Sequence, residues 1–216
     1  LKKAITIAKN IFKNTPIKFE LVKSRSNFIV NSYARSLMQA FSGSLDKVII
    51  LPLFGAALLG NYYLGFQIFN ILAILPGIVF QYMLPQESSG SSHAKLKKIT
   101  IAVSRIFSII AIILAPIILP IFFPDFTEAI IIVQIMSLAL IPNAIALMYV
   151  SKLLGNEKIK IVIIGQIIGL AVTISGIYGL GEIYGIMGAA MAYTIGTLVA
   201  VVYYFVSTRI SKIDVM

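Results

Sequence analysis

Six stretches of this chain are too long and too apolar to be ordinary core elements of a water-soluble fold. They run over 27–52, 60–84, 99–119, 128–150, 159–180 and 186–206, each 21 to 26 residues long. A helix rises about 1.5 Å per residue, so about 20 residues cross a hydrocarbon layer about 30 Å thick. Of the 216 residues 59% are hydrophobic and 12% charged, where soluble domains carry about 25% charged residues. In lipid a lone segment satisfies its own N–H and C=O groups only as a helix. The expectation is an all-α polytopic membrane helix bundle with six transmembrane helices.

The charges lie between these segments. The net charge is +10, which on a soluble protein would raise the question of nucleic acid. Seven Lys or Arg fall in 1–26, three in 85–98, three in 151–160 and two in 207–216, whereas 53–59, 120–127 and 181–185 contain none. This alternation is the positive-inside pattern. It places both termini on the cytoplasmic side of the cell membrane and argues against nucleic acid as a partner. Residues 1–26 hold Ile5, Ala8, Ile11 and Phe12 at helical spacing before Thr15-Pro16. They read as a short basic amphipathic helix on the lipid surface. The sequence begins at Leu1, without a signal-peptide pattern, and is expected to be processed, excised or a fragment.

The first segment carries a polar line. Asn27, Asn31, Arg35, Gln39, Ser42 and Asp46 follow at steps of 4, 4, 4, 3 and 4. At about 100° per residue they share one sector about a third of the circumference wide. Lipid does not tolerate such a face, so it is expected to look inward and line a substrate pathway. Arg35 and Asp46 are separated by about 16 Å of helix rise, and would serve two levels of one cavity. An arginine fork suits phosphate oxygens, and a carboxylate in a span can take up a proton or a cation. Asp46 and Lys47 read equally well as an interfacial pair.

Other chemistry is sparse. There is no Cys and a single His, His93, so no metal site is expected. No phosphate-binding G-x-x-x-x-G-K-[ST] occurs; Gly179-Leu180-Gly181 begins like a dinucleotide loop, but position 184 is Tyr. Among the eight acids only Asp46 is a candidate for lying within a span; the others fall at span edges or in connections, Glu87 in the polar connection 86–92. No catalytic residue, enzyme activity or cofactor is therefore expected. Gly165–Gly169 and Gly181–Gly185 have the spacing of close helix contacts, as does Gly188-Ala189-Ala190. Gln134, Asn143 and Gln166 read as interhelical hydrogen-bonding residues. Pro76, Pro116 and Pro142 lie inside spans and signal static kinks or moving hinges.

Several stretches together resemble a known family. Ser44-Leu45-Asp46-Lys47-Val48-Ile49-Ile50 and Leu53-Phe54-Gly55-Ala56-Ala57-Leu58-Leu59-Gly60-Asn61-Tyr62-Tyr63 look like the seventh-to-eighth span region of polysaccharide flippases. Leu153-Leu154-Gly155-Asn156-Glu157-Lys158, then Tyr184-Gly185-Ile186-Met187-Gly188-Ala189-Ala190, are similar to a pattern near that family's C-terminus. The family is the O-antigen and teichoic-acid exporter type of the multidrug/oligosaccharidyl-lipid/polysaccharide exporter superfamily. The resemblance implies a transporter that flips lipid-linked oligosaccharide by alternating access. It also implies that this chain is the C-terminal bundle, facing a missing N-terminal bundle or a second copy. A cation-coupled multidrug exporter of the same superfamily and a non-transporting assembly subunit are the alternatives. If the polar line is the pathway, Arg35→Ala abolishes transport in a reconstituted assay while the protein still folds and inserts; unimpaired transport removes the residue from the pathway.

Overall fold

The computed structural model describes residues 43–90 and 93–211, with Ser26, Val30, Tyr33, Ser36 and Leu37. Among these residues the chain is helical and contains no strand. The helices are α1 (Leu45–Leu72), α2 (Ile74–Ser88), α3 (Ala94–Phe122), α4 (Ala129–Leu138), α5 (Leu140–Gly155), α6 (Ile159–Tyr184) and α7 (Ile186–Ile210). Counting α4 and α5 as one, five stretches are long and apolar enough to cross a membrane.

Helix α3 shows why the bundle belongs in lipid. Its buried face is Lys97, Thr100, Ser104, Ser108, Ala115 and Leu119. Its exposed face is Ile99, Ile106, Ile109, Ile113, Ile117 and Ile121. Apolar side chains out and polar ones in reverses the pattern of a soluble helix. The buried hydroxyls find backbone acceptors: Ser104 Oγ donates to Thr100 O at 2.8 Å and Ser108 Oγ to Ser137 O at 2.7 Å. Exposed isoleucine, leucine and valine recur on α2, α6 and α7. So large an apolar surface is unsuited to water. The chain is a multi-pass membrane protein.

Helix α1 is not one rod. Gly55 sits at φ 82°, ψ 173° in its middle, a left-handed φ that glycine adopts without strain. Tyr62 Oη donates to Asp46 Oδ2 at 2.8 Å across sixteen residues, which a straight helix would hold about 24 Å apart. Lys47 Nζ lies 3.9 Å from the Phe66 ring centroid. The chain therefore folds back at Gly55. The first connection, expected as 53–59, is reduced to this one residue. Val30, Tyr33 and Leu37 are helical and exposed.

Two prolines each remove one rung from a helix ladder. Pro76 and Pro142 lack the N–H that would bond the carbonyl four residues back. The boundaries between α1 and α2 at Ala73, and between α4 and α5 at Ala139, each lie three residues before one of them; both alanines keep helical angles, and Gly77 N–H and Asn143 N–H still bond their carbonyls, so one rung is lost and the helix runs on. Pro116 and Pro120 sit in α3 without ending it. The turn from α5 to α6 closes with Lys158 N–H on Leu153 O at 2.8 Å and Glu157 N–H on Leu154 O at 3.0 Å. That is a Schellman arrangement, with Glu157 at φ 58° in the place usually taken by Gly.

The closest helix pair is α6 with α7, joined through Gly185 at φ 59°. Gly165 lies under the Tyr204 ring, Gly169 against Ala200 and Gly196, Thr173 against Gly196, and Gly176 against Ala192. Steps of four, four and three residues up α6 meet four-residue steps down α7, and from Gly169 to Gly176 small residues face each other. The Gly165–Gly169 spacing is thus used within the chain. Gly181 takes the Phe54 ring instead.

The polar stretch 86–92 departs from a simple connection. Helix α2 runs on to Ser88, and Glu87 is buried. Its carboxylate meets Lys97 Nζ at 2.6 Å and Lys152 Nζ at 3.0 Å. The three side chains tie the ends of α2, α3 and α5. A charge buried at such a position must be paired, since stripping a partner from a buried ion pair costs about 3–5 kcal/mol.

The α6–α7 register yields a stability test. A Cβ at Gly196 would stand 2.7 Å from Gly169 O, whereas one at Gly179 meets nothing within 4 Å. Gly196→Ala should destabilise the detergent-solubilised protein by about 1–3 kcal/mol. Gly179→Ala should leave thermal unfolding unchanged or raise its midpoint, through the helix propensity of Ala.

Candidate functional site

Between α5, α6 and α7 lies a partly open cavity of about 250 Å³. It exists because the small residues pull α6 onto α7, while α5 packs on α7 and α2 and only lightly on α6. Helix α5 contributes Asn143, Ala146, Leu147 and Val150; α6 contributes Gln166, Gly169, Leu170 and Thr173. Helix α7 contributes Tyr193, Gly196, Thr197, Ala200 and Tyr204, and Asp46 completes the wall.

Asp46 is buried, with a side chain 3% exposed. It opens the first turn of α1 after the turn at Gly43 and Ser44. Oδ2 accepts from Tyr62, and Oδ1 accepts the backbone N–H of Lys47 at 2.9 Å. The Lys47 ammonium stands 3.5 Å from Oδ1 and also donates to Gly43 O. Asp46 and Lys47 are therefore an ion pair, and the carboxyl also faces the cavity. Tyr193 packs edge to face on Phe66 and on Phe69, with ring centroids 5.6 and 5.4 Å apart.

The lining hydroxyls are oriented. Thr173 Oγ1 donates to Gly169 O at 2.9 Å, Thr197 Oγ1 to Tyr193 O at 2.9 Å, and Tyr204 Oη to Val162 O at 3.1 Å. With their protons used on backbone carbonyls, these oxygens keep lone pairs for other donors. Gln166 Oε1 is buried and has no hydrogen-bond partner among the described residues. An amide oxygen in that state is costly unless water or a ligand donates to it. The surface on offer is rich in acceptors, with amide donors from Asn143 and Gln166 and one carboxyl group.

Of the six residues of the polar line, Asp46 alone is among the described residues, and it lies in the cavity wall. Asn27, Asn31, Arg35, Gln39 and Ser42 lie outside the described residues. The expected cationic character of the pathway rests on Arg35. Among the described lining residues the only charged side chain is Asp46.

Asn143 and Gln166, read as interhelical hydrogen-bonding residues, line the cavity instead. Gln134 does bond between helices, its Nε2 donating to Ile112 O at 3.0 Å. Tyr62, Thr173, Tyr193, Thr197 and Tyr204 were not singled out from the sequence. The signal available for them was a four-residue step, Tyr193 to Thr197 on α7, and the seven-residue step from Gln166 to Thr173 on α6. Comparisons of the chain with family models, with curated proteins and with solved structures find no significant match.

Proposed function

We propose that this chain is a transport module of the polysaccharide-flippase type, moving lipid-linked oligosaccharide across the cell membrane by alternating access. One observation carries the reading: an acceptor-rich cavity of hydroxyl, amide and carboxyl groups inside a bundle whose outer face is apolar. Sugar hydroxyls donate and accept at once, and such a lining answers both. Tyr193 and Tyr204 add apolar ring surface beside polar tips, which suits a pyranose. The volume sets a limit. About 250 Å³ falls below the range of about 300–1,000 Å³ usual for small-molecule sites. It accommodates a sugar unit or several waters, and a longer glycan requires the cavity to widen.

A second reading has its own support. Because Asp46 is the charged group of the described lining, a cation-coupled multidrug exporter fits a carboxyl that exchanges a proton or metal cation. The Lys47 ammonium at 3.5 Å would have to yield for a cation to bind there, which weighs toward the first reading.

The deciding experiment is reconstitution of the chain in liposomes with a labelled polyprenyl-pyrophosphate oligosaccharide. Flipping is expected, reduced at least tenfold by the cavity-filling Thr197→Leu. Absence of flipping, together with gradient-driven efflux of a lipophilic cation that Asp46→Asn eliminates, would establish the exporter reading instead.

A further inference from the structure

We infer that the outward face of α3 holds one anionic phospholipid, its phosphate seated over Ala102 between Lys98 and Arg105. The observation behind it is a line of cations on a helix face that is otherwise apolar and exposed. Lys95, Lys98, Ala102 and Arg105 follow at steps of 3, 4 and 3, and all four are exposed. At about 100° per residue they share a sector about 80° wide, centred about 120° around the helix from Lys97. Lys97 is fully buried on Glu87, which fixes the rotation of α3 and keeps the line pointing away from the bundle. Ile109 and Ile113, both exposed, continue the line toward the other end of the helix.

The neighbouring cations are occupied. Lys97 and Lys152 share Glu87, Lys47 pairs with Asp46, and Arg209 lies over the Phe205 ring at 5.1 Å. Lys95, Lys98 and Arg105 make no ion pair among the described residues. Helix α3 contains no Asp or Glu, and the one acid of α2, Glu87, is buried and already held by two lysines.

Depth decides what can fill the place. Helix α3 has 29 residues, a length of about 43 Å against a hydrocarbon core about 30 Å thick. Its far end is apolar through Phe123, and Asp125 follows. Counting one core thickness back from Phe122 ends near Ala102. Arg105 then lies about 4 Å inside the hydrocarbon boundary and Lys98 about 6 Å outside it. A bare guanidinium inside that boundary is costly. Helix side chains lean toward the N-terminus, which here is the headgroup side, so Arg105 reaches lipid phosphate. Its planar fork takes phosphate oxygens, and Lys98 adds a point charge from above. The methyl group of Ala102 leaves the space between them open. The acyl chains run on over Ile109 and Ile113. A net negative headgroup is selected, because a choline or ethanolamine cation would meet Lys95 and Lys98. This site lies outside the cavity and does not depend on what the cavity carries.

The chain has no Trp, so single tryptophans report their lipid neighbours through quenching by brominated acyl chains. Ile109→Trp reads the proposed site. Ile78→Trp, exposed on α2, a helix without Lys or Arg, reads ordinary lipid contact. The protein is reconstituted in mixtures of brominated phosphatidylglycerol with phosphatidylcholine. At Ile109→Trp the anionic lipid should be preferred by about tenfold, with near parity at Ile78→Trp. Arg105→Gln and Lys98→Gln should each lower the preference at Ile109→Trp by about threefold or more. The Ile78→Trp reading should be unchanged in the same variants, which excludes a general loss of fold. Lys160→Gln on α6 should leave both readings as they are. Equal preference at the two reporters, or a preference that survives both substitutions, would overturn the site. So would complete displacement of the brominated lipid by an equal amount of polyprenyl-pyrophosphate sugar, which would make the clamp a contact for transported lipid.

Discussion

The carboxyl of Asp46 is the constraint from which the rest of the site follows. A carboxyl group inside an apolar bundle needs partners, and lipid supplies none. Here the partners come from a helix that returns after sixteen residues: Tyr62 on one oxygen, with Phe66 under the neighbouring ammonium. That return depends on a glycine with φ 82°. Any residue with a Cβ at position 55 would strain the reversal. The fold-back brings Asp46 to Tyr193 on α7, and so to the cavity. One backbone angle, one hydrogen bond and one cavity wall are thus links of a single chain.

The second organising element is the stripe of small residues on α6 and α7. Gly165, Gly169 and Gly176 allow a close approach, with the Tyr204 ring, Ala200 and Ala192 of α7 set directly against them. The gap is displaced to the α5 side, where polar groups of three helices converge. Tight packing in one place and an opening in the next have the same cause. The buried Glu87 with its two lysines secures the far ends of α2, α3 and α5. Lys97 is fully buried against this carboxylate, so ionic ties as well as close packing hold the bundle.

Much of the fold could be read from residue patterns. Long apolar segments dictate helices, because nothing else satisfies an isolated backbone in hydrocarbon. The hairpin turns are shorter than expected: Gly55 and Gly185 each reverse the chain in a single residue, where hydropathy alone suggested loops of five to seven. Glu87 looked like part of a polar connection because its neighbours are Gln86 and Ser88. Its burial depends on Lys97 and Lys152, which no local pattern brings beside it. The cavity was legible at Asp46 and, as polar residues without an assigned role, at Asn143 and Gln166. Thr173 and Thr197 were not, since a threonine bonded to its own helix looks the same in sequence whether it faces lipid or a cavity.

The central claim is that a polar, solvated cavity lies within a lipid-facing bundle. Single cysteines introduced at Leu147 and Thr197 in the cavity wall, and at Ile113 and Ile117 on the exposed face of α3, test it directly in intact membranes. A membrane-impermeant, water-soluble thiol reagent should modify the first pair and leave the second unmodified. Cavity cysteines as unreactive as those on α3, or α3 cysteines that react as fast as those in the cavity, would contradict the account.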